Sequence, residues 1–174
     1  MPDVVDVILA EHRQILELFG ELADAAGTGA ARRADRLDLI WTNLARVLEA
    51  HVDTAQEIAW PRLFQGSASR HLPEIAAGHG DIREAIGEAP FQPAGSAVWT
   101  LAVRAARTAA IRHIDGIESG PLAMFRREAS PQNRELLGDQ WLAFQAAQVS
   151  DANSAPGRRV SAPTVSRKPL TSGL

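Results

Sequence analysis

Four of the five histidines in this chain fall on helical seams that should face a core. They are His12, His51, His79 and His113. At alternating spacings of three and four, His12 belongs to the series Val5, Ile8, His12, Ile15, Phe19, Leu22. His51 belongs to Leu37, Trp41, Leu44, Leu48, His51, Ala55, Ile58. His79 stands in Ile75, His79, Ile82, Ile86, and His113 in Trp99, Ala102, Ala106, Ala109, His113. These are the periods of amphipathic helices. A buried imidazole needs partners for its ring nitrogens, so burying four of them without a purpose is costly. Four imidazoles on four inward faces predict one shared point inside a bundle. Its chemistry would be that of a metal or cofactor site, or of a pocket with acid–base groups near neutral pH.

The elements that must position these rings can be read from caps and breakers. A first helix is predicted from Asp3, its N-cap, to Ala26, ended by Gly27-Thr28-Gly29. A second runs from about Ala34 to Leu63, with Pro61 expected to end or kink it near Trp60. Residues 66–69 read as a loop. The third helix covers Pro73 to Glu88 and carries glycines at 78, 80 and 87, so tertiary packing must hold it. The fourth runs from the cap Ser96 to about Arg127, with disruption expected at Gly116, Gly120 and Pro121. Ser130-Pro131 opens a short fifth helix through about Ala147, whose apolar face is Leu136, Leu137, Trp141 and Phe144. No period-two strand pattern occurs. The fold class is therefore all-α: an antiparallel up-down-up-down four-helix bundle with a short extra C-terminal helix. Residues 1–148 form the bundle domain. Residues 149–174, rich in Ser, Pro and Arg, read as a disordered tail.

Composition narrows the chemistry. With 174 residues the chain suffices for one domain with a real core. There is no cysteine and no tyrosine, which excludes disulfides, thiolate ligands, cysteine nucleophiles and tyrosyl ligands. The net charge of −3 gives no general attraction to nucleic acid or anionic lipid. Neither a signal peptide nor a membrane span is read, so a cytoplasmic location is expected, without nucleic-acid or membrane partners.

The ordered set of histidine motifs resembles the hemerythrin-like (HHE cation-binding) family over roughly residues 4–145. The resemblance rests on Glu11-His12-Arg13, on His51 through Trp60-Pro61, on Gly78-His79 through Arg83, and on His113 through Glu118 followed by Phe125-Arg126-Arg127. The segment from Ser130-Pro131 to Trp141 looks like the extra C-terminal helix of many bacterial members. The resemblance implies a non-haem di-iron centre held by histidines and two bridging carboxylates, each four residues after the histidine of the second and fourth helices. Those positions here are Ala55 and Ile117.

Two ferrous ions would carry four positive charges, and four neutral imidazoles supply no negative charge. A buried pair of dications without anionic ligands faces strong repulsion and desolvation. A normal di-iron centre is thus not expected. The leading expectation is one transition-metal ion (Fe, Zn or Cu) bound by His12, His51, His79 and His113, for which the family resemblance implies an oxygen, nitric-oxide or redox-related role. Glu118 is kept as a further metal candidate, although on an ideal helix it points about 140° from His113, at roughly 100° per residue. With Glu57 and Asp115 it is read as solvated. Haem on one or two axial histidines is a second option. A metal-free pocket, in which one of the same four histidines is the catalytic acid or base toward a small organic substrate, is a third. A relic bundle serving as an interaction module is a further alternative. Trp41 and Trp99 read as core filling, His71 as surface, and Arg83 as a solvated face.

Overall fold

The computed structural model describes residues 1–27 and 33–154, and the described residues are almost entirely helical, with no strand. Helix α1 spans Val4–Ala26, α2 Arg33–Thr54, α3 Trp60–Leu63, α4 Leu72–Glu88, α5 Ala97–Ile117, α6 Ala123–Glu128 and α7 Pro131–Ser154. Three of the long helices, α1, α5 and α7, start on a side-chain cap. The Asp3 carboxylate accepts a hydrogen bond from the Val5 amide at 2.9 Å, and the Ser96 hydroxyl accepts one from Trp99 at 3.2 Å. The Ser130 hydroxyl does the same for the amide of Asn133 at 3.3 Å. All three satisfy donors that a helix start leaves free.

Two helices widen where proline breaks them. Ala55–Ala59 form a π turn between α2 and α3, and Glu118–Leu122 form another between α5 and α6. A proline ring collides with the carbonyl four residues earlier in an α-helix. Those carbonyls belong to Glu57 for Pro61 and to Ile117 for Pro121. A turn of i→i+5 hydrogen bonding relieves the clash while the chain stays helical. The break expected near Trp60 therefore appears one turn earlier, as a widening. Residues 66–71, expected to be mostly loop, form a 3₁₀ turn.

The predicted seams are the buried faces. Every seam residue named above is buried apart from Ile58, which is half-buried. Helix α1 packs against α2 and α4 against α5, with further contacts between α2 and α4 and between α1 and α5. The four histidines form a layer between two apolar clusters. One cluster contains Ile15, Leu48, Ile82 and Ile114, and the other contains Ile8, Ala55, Ile75 and Ile117.

Helix α7 departs from expectation in length and in role. It continues to Ser154, seven residues past Ala147, and no proline interrupts the sequence after Pro131 over that span. The expected tail boundary at residue 149 falls inside it, and residues 155–174 lie outside the described residues. It buries Leu137 and Trp141 against α1, α2 and the first π turn, while Leu136, counted in its apolar face, is exposed. Arg134 locks its first turn, donating to the Asp3 carboxylate at 2.7 Å and to the carbonyl of Arg126 at 2.6 Å. Gly138 passes so close to the start of α1 that a Cβ there would overlap the carbonyl oxygen of Pro2. Backbone cannot yield as a flexible side chain does. Gly138→Ala should therefore destabilise the protein by roughly 1–3 kcal/mol, measured by urea denaturation. An unchanged midpoint would show that α7 does not pack this tightly on α1.

Candidate metal centre

Each of the four imidazoles comes from a different long helix: His12 from α1, His51 from α2, His79 from α4 and His113 from α5. All are fully buried. Their rings crowd together, with centroids 4.4 Å apart for His79 and His113 and 5.0 Å apart for His12 and His51. The Nε2 atoms of His51 and His113 are 3.4 Å apart, and those of His79 and His113 are 3.3 Å apart. Two imidazole nitrogens bound to one tetrahedral ion at about 2.0–2.1 Å stand roughly 3.3–3.4 Å from each other. His12, His51 and His113 each offer a ligand atom, and these atoms lie within 4.8 Å of one another. His79 stands outside that triple and adjoins it through His113.

Two carboxylates orient the rings. His12 Nδ1 lies 2.7 Å from Glu118 Oε1, and His51 Nδ1 lies 3.0 Å from Glu11 Oε2. A carboxylate on Nδ1 holds the proton there and leaves a lone pair on Nε2. The Nε2 of His12 has no hydrogen-bond partner among the described residues, nor do the Nδ1 atoms of His79 and His113. Buried polar atoms without partners are rare. With Nδ1 of His12 engaged by Glu118, the nitrogen of that ring left without a partner is Nε2, and its lone pair is the one free to meet a cation. The donor set of three buried imidazoles therefore fits a metal ion.

The electrostatics favour the neutral, ligating form of the rings. Burial, followed by repulsion from His51 and His113, lowers the pKa of His12 to about 2. Burial and the neighbouring imidazoles, with Arg83 contributing, lower that of His79 to about 2. Burial and then His51 lower that of His113 to about 3. Glu118 is held above its ordinary value, chiefly by burial and next by Asp115, against the pull of Arg13.

The structure corrects the reading of Glu118 as solvated. Its side chain is 37% exposed, yet its carboxylate reaches a buried ring. The angle of about 140° from His113 turns it toward α1, where His12 is the recipient. Glu57 and Asp115 are exposed, as expected. Ala55 and Ile117, where the resemblance places bridging carboxylates, are buried in apolar packing. Arg83 pairs with Asp53 and donates to Gln56 at 3.1 Å, tying α4 to α2 and its π turn. Trp41 and Trp99 meet edge to face at 6.1 Å in the core, and His71 is half-buried beside Arg70.

Three participants were not legible as such. Trp60 stacks on His79 at 4.7 Å with an interplanar angle of 20°. Trp141 packs its ring 5.7 Å from that of His51. Glu11 carries the strongest missed signal. It occupies the series Val4, Ile8, Glu11, Ile15, Leu18, Leu22, whose other members are all buried. A lone carboxylate on an apolar seam marks a group with a buried partner.

The family model of the hemerythrin HHE cation binding domain matches residues 3–125. No curated protein and no solved structure matches. No helix among the described residues is long and apolar enough to cross a membrane.

The lowered histidines set a pH dependence for the metal-free protein. Above pH 6.5 these rings are neutral in both the folded and the unfolded chain, and no penalty arises. Below 6.5 the unfolded chain takes up protons that the folded chain refuses until about pH 2–3. Stability should fall with pH by up to about 1.4 kcal/mol per group per pH unit. Urea denaturation in chelator at pH 7.5 and 5.5 measures it; equal midpoints would mean that the rings are not shielded from protons.

Proposed function

The chain belongs to the hemerythrin HHE cation-binding family, and on that premise we propose that it is a single-ion member. One transition-metal dication is held in the core by His12, His51 and His113, with His79 as the adjoining fourth imidazole. The observation that carries this reading is the pairing of His12 and His51 with Glu118 and Glu11, which leaves a lone pair on both Nε2 atoms, that of His51 3.4 Å from the Nε2 of His113. Iron, zinc and copper all suit imidazole ligands. A bound ion would supply an open coordination position and, if redox-active, one-electron chemistry toward a small molecule such as dioxygen or nitric oxide.

The residues perform the remaining tasks. The depressed basicity of His12 and His113 keeps them free of protons, so an ion need not displace any at neutral pH. Glu118 and Glu11 fix ring orientation and tautomer. They also supply the negative charge that Ala55 and Ile117 cannot. Two carboxylates, one imidazole away from the ion, match the charge of one dication and fall short of two. The apolar packing at Ala55 and Ile117 supports the loss of the second metal position. The spacing of the rings also weighs against haem, since centroids 4.4–6.2 Å apart leave no slot for a macrocycle between them. The pattern of helix contacts supports the finer reading of the fold as an antiparallel four-helix bundle.

Metal analysis of freshly purified protein should give one dication per chain. His51→Ala and His113→Ala should each abolish uptake, and unchanged content in either variant would sink the assignment. Glu118→Gln keeps a hydrogen-bond acceptor for His12 and removes the charge. It should weaken the affinity for Co²⁺ by about 10–100-fold, read by titration against a competing chelator. Undiminished affinity would remove Glu118 from the charge balance.

A further inference from the structure

We propose that α7, which begins at Pro131 beyond the family match, is a positioning arm of the metal centre that acts through Glu11 on His51. The inference rests on the single-ion reading above and names the residues that regulate that same site. Trp141 Nε1 donates to Glu11 Oε1 at 2.6 Å, and Gln145 Nε2 donates to the same oxygen at 2.8 Å. The other oxygen, Oε2, meets His51 Nδ1 at 3.0 Å. The indole nitrogen can only donate. Both oxygens of Glu11 are thus engaged, one by α7 and one by His51.

This arrangement has a direct consequence at the metal-facing nitrogen. Glu11 lies on α1 and is only 14% exposed, so water cannot readily replace the two donors. With Oε1 anchored, Oε2 stays aimed at His51 Nδ1 and keeps the proton there. His51 Nε2 is then a lone pair directed at the Nε2 of His113. Without the anchor the carboxylate can rotate toward solvent, and His51 can take the opposite tautomer, whose Nε2–H repels a cation. Charge-assisted hydrogen bonds of this length are the strong class. Trp141 is completely buried and also packs on the His51 ring, so it fixes the ring from two directions.

The test uses the full chain with Trp141→Phe and Gln145→Ala. The first keeps a six-membered aromatic ring and removes the donor nitrogen together with the rest of the indole's five-membered ring; the second removes the other donor at a half-buried position and leaves the aromatic packing in place. Two readouts apply. ¹⁵N NMR of the metal-free protein reports the His51 tautomer, and competition titration reports Co²⁺ affinity. Wild type should show the proton on Nδ1. Both variants should populate the Nε2–H form, and Trp141→Phe should bind Co²⁺ about 10–100-fold more weakly, with Gln145→Ala shifted in the same direction. A merely structural helix would lower the melting temperature while leaving tautomer and affinity at wild-type values, and that outcome overturns the proposal. If Trp141→Phe does not fold, Gln145→Ala decides alone by the same criteria. A wild-type protein that takes up no Co²⁺ overturns the metal reading; the tautomer measurement still decides whether α7 acts on His51.

Discussion

Burying four imidazoles in one layer is the constraint on which the rest of this molecule depends. Each ring brings two nitrogens into a medium where an unpaired polar group costs on the order of 1–3 kcal/mol. The protein meets that cost unevenly. His12 and His51 receive a carboxylate on one nitrogen, whereas His79 and His113 have theirs only through each other and His51. The layer interrupts what would otherwise be a continuous hydrocarbon core and leaves apolar clusters above and below it. The long helices are then committed to one relative register, because each must deliver its histidine to the same height. Sliding any helix by a turn would put an imidazole into an aliphatic layer and an aliphatic side chain among the rings.

The negative charge of the site lies against the outer nitrogens of two of its rings. Glutamates at 55 and 117 would touch metal directly; Glu11 and Glu118 instead act through the far nitrogen of a histidine. Electrostatic attraction falls with distance, so carboxylates placed one imidazole away offset less positive charge than carboxylates in direct contact. It also changes what the carboxylates do. A bridging carboxylate is spent on the ion, but Glu11 keeps a second oxygen free to accept from Trp141 and Gln145. That spare oxygen is how a helix outside the matched family region gains a hold on the core.

Much of this was legible in the sequence because helical period and burial are tightly coupled. The seams, the four histidines and the caps Asp3, Ser96 and Ser130 all follow from local spacing and local hydrogen bonding. Glu118 and Glu11 did not, for one shared reason: each serves a histidine on another helix. Measuring Glu118 against His113 on its own helix asks where it points, but its partner His12 lies on α1. Likewise Glu11 sits beside His12 in sequence and beside His51 in space. The widening of the helices at Ala55–Ala59 and Glu118–Leu122 was legible only as a break, since proline announces that an α-helix must change without saying how. The length of α7 was underestimated because weak periodicity resembles a tail, and its hold on the core comes from Trp141 and Gln145 more than from a continuous apolar face.

The division of the core into two clusters bears on how the site could open. Helix α7 contributes Leu137 and Trp141 to only one of them, the cluster that also contains Val4 and Val5 at the beginning of α1. The other cluster joins α1, α2, α4 and α5 without help from α7. Loosening of the first end would therefore uncover the rings from one side while the opposite end keeps the long helices together. Proteins open most readily in such cooperative sub-units, at free energies well below that of global unfolding. The ring layer thus lies between one apolar end that α7 helps to close and another that the four long helices close by themselves.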